Sequence, residues 1–212
     1  MAEQAPPGRA GRLWLRARLA AARRSMELLD RKRQLLQREL DRLAERREET
    51  RRAWIAACEE AERWALRAAV LGGSTAMTHA ASPVAGQGTV AVPWRNTMGV
   101  SHPDDPHCTL PLLGATAAAA GNSAIAPAAA AFRRALEAGV AHSAADSSFV
   151  LLDRELSATR RRLRAIERHR VPVLEEALGR LELRLDELER EERVVTRWAQ
   201  RRLHGELGGP AA

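Results

Sequence analysis

The chain has no tyrosine, two phenylalanines and a single lysine, Lys32, among its 212 residues. With aromatics at 3% and charged residues at 29%, the large side chains that fill the interior of a compact globule are scarce. Cysteine is scarce too. Cys58 and Cys108 form no metal spacing and no multi-bridge framework, so both are expected to be free thiols of a reducing cytosol. Residues 1–11 lack the apolar core of a signal peptide. No uncharged apolar run reaches the roughly 20 residues of a membrane-spanning helix, so the expectation is a soluble protein, or one peripheral to a membrane through a partner.

Catalytic motifs are missing as well. There is no glycine-rich phosphate loop, nucleophile elbow or metalloprotease helix, and the segment 114–121 is alanine-rich without a Lys-Ser/Thr pair. Carboxylates such as Glu48-Glu49, Glu59-Glu60 and Glu191-Glu192 are adjacent in sequence and point about 100° apart on a helix, so they do not face one another across a cleft. His79, His102, His107 and Cys108 match no zinc pattern. These absences predict a chain that is not an enzyme and holds no cofactor or metal.

What the sequence does have is a long apolar repeat. At alternating steps of four and three run Leu15, Leu19, Ala22, Met26, Leu29, Arg33, Leu36, Leu40, Leu43, Arg47, Thr50, Trp54, Ala57, Ala61, Trp64, Ala68 and Leu71. A repeat of 3.5 residues sustained over many heptads marks a coiled coil. No proline or glycine falls between Arg12 and Leu71, so a helix over 12–71 is expected, about 90 Å long at 1.5 Å per residue. Gly72-Gly73-Ser74 supplies its end. Arg33 and Arg47 interrupt the seam and are expected to reach to its edge or to set its register.

The repeat returns near the other end as Leu152, Leu156, Thr159, Leu163 and Ile166, then, displaced by one residue, as Leu174, Leu178, Leu181, Leu185, Leu188, Glu192, Val195 and Ala199. The displacement falls around Pro172, where a proline removes a backbone hydrogen bond and a register change alters the winding. Two such seams most simply pair antiparallel. The expected fold is therefore all-α: a long antiparallel two-helix coiled coil of the N- and C-terminal helices, 12–71 and 147–204. Residues 1–11 and 205–212 are expected to be disordered tails.

Between the seams, residues 72–123 turn to Gly, Pro, Ser, Thr and Ala and are expected to be loop-rich. Thr89 to Trp94 and Thr109 to Leu113 have strand composition and can pair as a small β-hairpin closed by a loop from Asn96 to His107, with Pro93 and Pro111 confining both to edges. A short helix is expected over 124–146, with Phe132, Leu136 and Val140 on one face and Gly139 weakening it.

The net charge of +7 raises a basic scaffold for nucleic acid or an anionic membrane as an alternative function. Residues 10–70 hold 16 basic and 10 acidic groups and residues 147–204 hold 14 and 11. Interleaved signs of this kind read as a solvated face with i,i+4 pairs such as Glu27–Arg31 and Glu59–Arg63. A basic-zipper protein would instead gather its positive charge before the zipper.

Two blocks of sequence carry a family resemblance. Leu28-Leu29-Asp30-Arg31-Lys32-Arg33-Gln34-Leu35-Leu36, followed late in the chain by Thr159-Arg160-Arg161-Arg162-Leu163-Arg164-Ala165-Ile166-Glu167 and Val171-Pro172, resembles the D subunit of V/A-type ATPases. Leu28, Leu29, Lys32 and Arg33 match the family's early Leu-Leu-x-x-Lys-Arg pattern. Arg161, Arg162, Ala165, Glu167 and Pro172 match the late one, where Arg164 stands in place of an expected Asn. Met98-Gly99-Val100 resembles a short motif of the family's middle segment. The resemblance implies the central-stalk rotor shaft of a V-type ATPase or ATP synthase, coupling ATP synthesis or hydrolysis to proton transport without itself being catalytic. The implied partners are the catalytic A and B subunits, the F subunit of the central stalk and the C-type socket on the proteolipid ring. The implied place is the cytoplasmic face of the membrane, with no direct membrane insertion and no nucleic acid.

Overall fold

The computed structural model describes residues 6–81, 87–111 and 122–206. In chain order these form helix α1 (Gly8–Ala81), strands β1 (Thr89–Ala91), β2 (Trp94–Thr97), β3 (Val100–Pro103) and β4 (His107–Thr109), helix α2 (Ile125–Ala165), a π-helical turn (Ile166–Arg170) and helix α3 (Val171–Glu206). The fold is the all-α pair of long N- and C-terminal helices that the two seams predict, with a small antiparallel hairpin in the middle. The contacts divide the chain into two units, one of residues 1–31 with 159–212 and one of residues 32–158.

In the first unit α1 runs antiparallel to α3. Its inner face is Leu15, Leu19 and Ala22, all buried, while Leu174, Leu178, Leu181 and Leu185 of α3 are half-buried. Across the edge runs a ladder of ion pairs: Arg9 to Glu189 at 3.4 Å, Arg16 to Glu182 at 2.6 Å and Arg23 to Glu175 at 2.8 Å. Each step is seven residues up one helix and seven down the other. Exposed pairs of this kind contribute little apiece, but only an antiparallel pairing in this register satisfies all three. Gly11 is buried because the Pro6 carbonyl occupies the space a Cβ would take.

The seam carries one polar flaw. Thr159 is fully buried and its hydroxyl has no hydrogen-bond partner among the described residues. An unpaired buried hydroxyl costs its desolvation, so replacing it with an apolar group of the same shape is favourable. Thr159→Val is expected to stabilise the chain by about 1 kcal/mol. Thermal unfolding followed by circular dichroism measures this, and an unchanged or lower midpoint would show that the hydroxyl is satisfied.

In the second unit α1 runs antiparallel to α2. Leu36, Leu40 and Leu43 pack on Leu152 and Leu156, with Val100 of β3 and Phe149 against them. Farther along, the seam changes from leucine to alanine: Ala61 meets Ala131 and Ala135, and Ala68 meets Ala124 and Ile125, with Trp64 beside both. Small residues let two helix backbones approach closely. The alanine-rich start of α2 is thus a packing stripe of Ala128, Ala131 and Ala135, while Phe132 and Leu136 are exposed. Ion pairs Lys32–Glu155 at 2.7 Å, Arg47–Asp146 at 2.6 Å and Arg134–Glu60 at 2.8 Å span the pair.

Several local features differ from the sequence expectation. Gly73 adopts φ 70, ψ 171, a region essentially reserved for glycine, so α1 is kinked there but helical conformation resumes to Ala81. The sequence separates a short helix over 124–146 from one that starts at 147; Ile125–Ala165 is a single helix. Nothing at Asp146-Ser147-Ser148 breaks it, and Ser148 Oγ lies 2.8 Å from the Ala144 carbonyl. Among the described residues neither Glu27–Arg31 nor Glu59–Arg63 forms an ion pair; the intrahelical pairs include Glu48 with Arg51 and Arg52 and Glu176 with Arg180. Hydrogen bonds from Arg51 and then Arg52 hold the Glu48 carboxyl down at about 2.

The hairpin reaches further than expected. β1 pairs with β4, but the expected closing loop contains a second pair, β2 with β3, in the register Thr97↔Val100 to Trp94↔Pro103. Met98 (φ 53) and Gly99 (φ 85) form a two-residue turn with both central φ positive, the type I′ geometry that matches strand twist. Asn96 Oδ1 accepts the Gly99 N–H at 3.0 Å. Residues 92–93 on one side lie opposite 104–106 on the other; the extra residue makes a bulge, with Asp105 at φ 41.

Candidate interaction surfaces

The hairpin is fastened to the helix pair of its unit by polar contacts that turn on one buried strand. His102 is buried, with Nε2 at 3.0 Å from Thr97 Oγ1. The neighbouring Pro103 carbonyl accepts a hydrogen bond from the buried Ser148 hydroxyl of α2. Arg46 of α1 reaches Asp104 and Asp105, each at 3.4 Å, and Arg95 reaches Asp104 at 3.5 Å. Val100 inserts into the leucine cluster. His102 is therefore a packing residue of the hairpin. Among the described residues no group of three His, Cys, Asp or Glu side chains could hold a metal ion.

Two further contacts tie the middle segment down. Arg133 donates to the carbonyls of Leu110, at 3.0 Å, and Pro111. Asn122 accepts the Ala124 N–H at 3.0 Å as α2 begins and donates to the Ala68 carbonyl of α1 at 2.9 Å. Nothing in a heptad pattern marks these residues, although an asparagine just before a helix is a readable cap. Gly139 has its own reason: a Cβ there would lie 3.0 Å from Trp54 Nε1. Trp54 stacks on His142 at 5.4 Å and 23°, and His142 Nδ1 lies 3.3 Å from Thr50 Oγ1.

The exposed strands β1 and β2 and the adjoining face of α2 leave an apolar groove of about 670 Å³, walled by Val90, Val92, Trp94, Val140, Val150 and Leu151. Val90, Val92 and Trp94 are all open to solvent. In the first unit, α3 continues to Glu206, past Glu189, where the ladder to α1 ends. Its Val194, Val195 and Trp198 are 65%, 64% and 59% exposed, and Arg202 lies over the Trp198 ring at 4.5 Å.

The residues of the two sequence blocks fall in varied settings. Leu28 is exposed, Leu29 is half-buried, and Lys32 pairs with Glu155. Arg33 is half-buried and engaged within the chain. Arg47 lies 2.6 Å from Asp146 Oδ1, without its N–H aimed at that oxygen, and stacks over Phe149 at 4.9 Å. Arg161, Arg162, Ala165, Glu167 and Pro172 are exposed. Of the other seam residues, Met26, Trp64, Leu163 and Ile166 are half-buried, whereas Trp54, Leu188 and Val195 are exposed.

The family model for the D subunit of ATP synthase matches residues 13–201. The chain belongs to that family. No curated protein matches it in sequence. As a D subunit it is a non-catalytic stalk component of a V-type rotary ATPase and part of the ATP synthase complex with other subunits. Among the described residues no helix of this D subunit is long and apolar enough to cross a membrane. Met98-Gly99-Val100 of the resemblance forms the hairpin turn and the first residue of β3.

Proposed function

We propose that this D subunit is the rotor shaft of a proton-translocating V/A-type ATPase or ATP synthase, transmitting torque between the catalytic A/B ring and the membrane proteolipid ring. The observation that supports this reading is the cross-helix ladder at heptad steps beside the buried Leu15, Leu19 and Ala22, because a shaft must resist twist without a bulky core. The paired termini enter the ring of A and B subunits, where the exposed Val194, Val195 and Trp198 of α3 are covered. The groove beside the hairpin receives the F subunit, and the loop end meets the C-type socket at the cytoplasmic face of the membrane.

Rotation is the deciding experiment. Cys58 is exposed and Cys108 half-buried, so a Cys108→Ser chain can carry a bead on Cys58. Reconstituted with A, B and F subunits, it is expected to turn the bead in one direction under ATP, with one shaft per ring. Tight binding to the ring without rotation would defeat the shaft reading.

A further inference from the structure

The ion-pair ladder of the first unit also marks where α3 loses its partner helix. Arg23, Arg16 and Arg9 meet Glu175, Glu182 and Glu189 at seven-residue steps, so Gly8, the first residue of α1, falls opposite Arg190. α3 runs on to Glu206. Pro6 does not extend α1 alongside it, since the Pro6 carbonyl lies back against Gly11. Every residue from Arg190 to Arg202 is exposed, Val194, Val195 and Trp198 among them. A helix draws most of its stability from the packing of an apolar face, and this stretch has the face without the packing.

The order of residues on that face is self-complementary. Glu191, Val195, Trp198 and Arg202 follow one another at steps of four, three and four, so they share one side of the helix, acid first, apolar in the middle and base last. Laid against a second copy running the other way, Glu191 falls opposite Arg202 and Val195 opposite Trp198, and the relation repeats by symmetry. The flanking positions obey the same rule, with Glu192 opposite Arg201 and Val194 opposite Ala199. The arginines at 193 and 197 fall opposite Gln200 and Thr196, so no like charges meet. A parallel pair would set Glu191 on Glu191 and Arg202 on Arg202, and is repelled. A basic end alone suits the C-terminus of any helix; acids at the mirrored positions, with the apolar residues centred between, do not follow from that. Glu191, Glu192 and Arg201 form no ion pair among the described residues. Arg202 stacks over Trp198 at 4.5 Å, which leaves the N–H edge of its guanidinium open to a carboxylate.

We propose that the free subunit pairs with a second copy of itself through residues 191–202 of α3, antiparallel about a twofold axis. Such an interface is isologous, one patch serving both chains, and the mirrored order of residues is what a twofold axis demands. Val194, Val195 and Trp198 leave water at its centre, while the Glu–Arg pairs at both ends fix the direction. The inference goes beyond the shaft reading and stands without it. On that reading the same three apolar side chains enter the A/B ring, so self-pairing and assembly exclude each other, and the pair is a state of the subunit before it meets its ring.

Sedimentation of the full chain tests the pairing. One short helical stretch from each chain is small beside a stable interface, so wild type is expected to pass from monomer to dimer over roughly 10–300 µM, with added salt moving the transition to higher concentration. Glu191→Arg/Glu192→Arg sets like charges against Arg201 and Arg202 of the copy, and is expected to shift the transition upward by about tenfold or more. Arg201→Glu/Arg202→Glu is expected to do the same. Joining all four substitutions in one chain restores the complementarity, and the transition is expected to return to within about threefold of wild type. An equimolar mixture of the two double variants is expected to pair as well. Trp198→Ala leaves the charges in place and is expected to weaken the dimer through its apolar centre. Circular dichroism, matched across the variants, separates a lost contact from a lost helix. A wild type that stays monomeric up to about 300 µM overturns the proposal. So does a dimer that none of these variants shifts, or a loss in the double variants that neither the fourfold chain nor the mixture reverses.

Discussion

Leu156→Ala is expected to lower the unfolding free energy by roughly 2–5 kcal/mol, the range for truncating a buried leucine. Leu156, with Leu36 and Leu152, is fully buried, and the three form one cluster with Leu40 and Leu43. The size of the effect follows from the architecture. A helix pair has a single apolar layer, so a void left there is bordered on two sides by solvated helix surface, and few neighbours can move in to fill it. Phe149 and Val100 are the partly buried residues available, and both are committed, one beneath Arg47 and one in β3. Urea unfolding followed by helical circular dichroism measures the loss. Leu183→Ala is the comparison, since Leu183 is 66% exposed and its truncation is expected to change stability by no more than about 0.5 kcal/mol. Equal effects from the two substitutions would mean that the leucine cluster is not the centre of the fold.

How far the sequence discloses this fold depends on contrast. Leu36, Leu40 and Leu43 stand out against Arg, Gln and Glu, so their 3.5-residue repeat and its partner at Leu152 and Leu156 are legible. Ala128, Ala131 and Ala135 follow similar spacing inside a run of alanines and have no contrast, so a close-packed stripe reads as low complexity. The hairpin's inner strands are hidden for another reason. Trp94-Arg95-Asn96-Thr97 and Val100-Ser101-His102-Pro103 are mostly polar, and their register is set by the turn at Met98-Gly99 and by His102 and Ser148, contacts that only the tertiary structure creates. The readable clue is Gly99, preceded by Asn96 at the distance needed to accept its N–H.

Charge misleads through averaging. The totals for the two helices are balanced closely enough to look like solvated faces, and intrahelical pairing is the natural expectation. The ladder of Arg9, Arg16 and Arg23 with Glu189, Glu182 and Glu175 becomes visible once the helices are laid antiparallel, because every pair is separated by more than 150 residues. The interaction surfaces are the least legible part: the groove beside Trp94 is made by a strand and a helix that no sequence pattern brings together.

A shortened α3 junction gives the second large effect, and it separates two causes that coincide at Pro172. The seam jumps by one residue between Ile166 and Leu174, and the structure has a π-helical turn at Ile166–Arg170, closed by the Val171 N–H donating to the Ile166 carbonyl. A π turn absorbs one extra residue in a helix, which is what a one-residue displacement requires. Pro172 lacks an N–H and cannot bond to the carbonyl of Arg168, so a proline alone also disturbs the helix there. If register is the cause, Pro172→Ala keeps the π turn, because Leu174 and Leu178 must still face α1. Deleting His169 together with Pro172→Ala turns the sequence into one unbroken heptad from Leu152 onward. That chain is expected to be regular α-helix through the junction and more stable, by up to about 3 kcal/mol from loss of the interior proline. Hydrogen exchange at the amides of 166–171, with thermal unfolding, distinguishes the cases. Protection that rises to that of a regular helix in Pro172→Ala alone would make the proline the cause and the displaced seam a bystander.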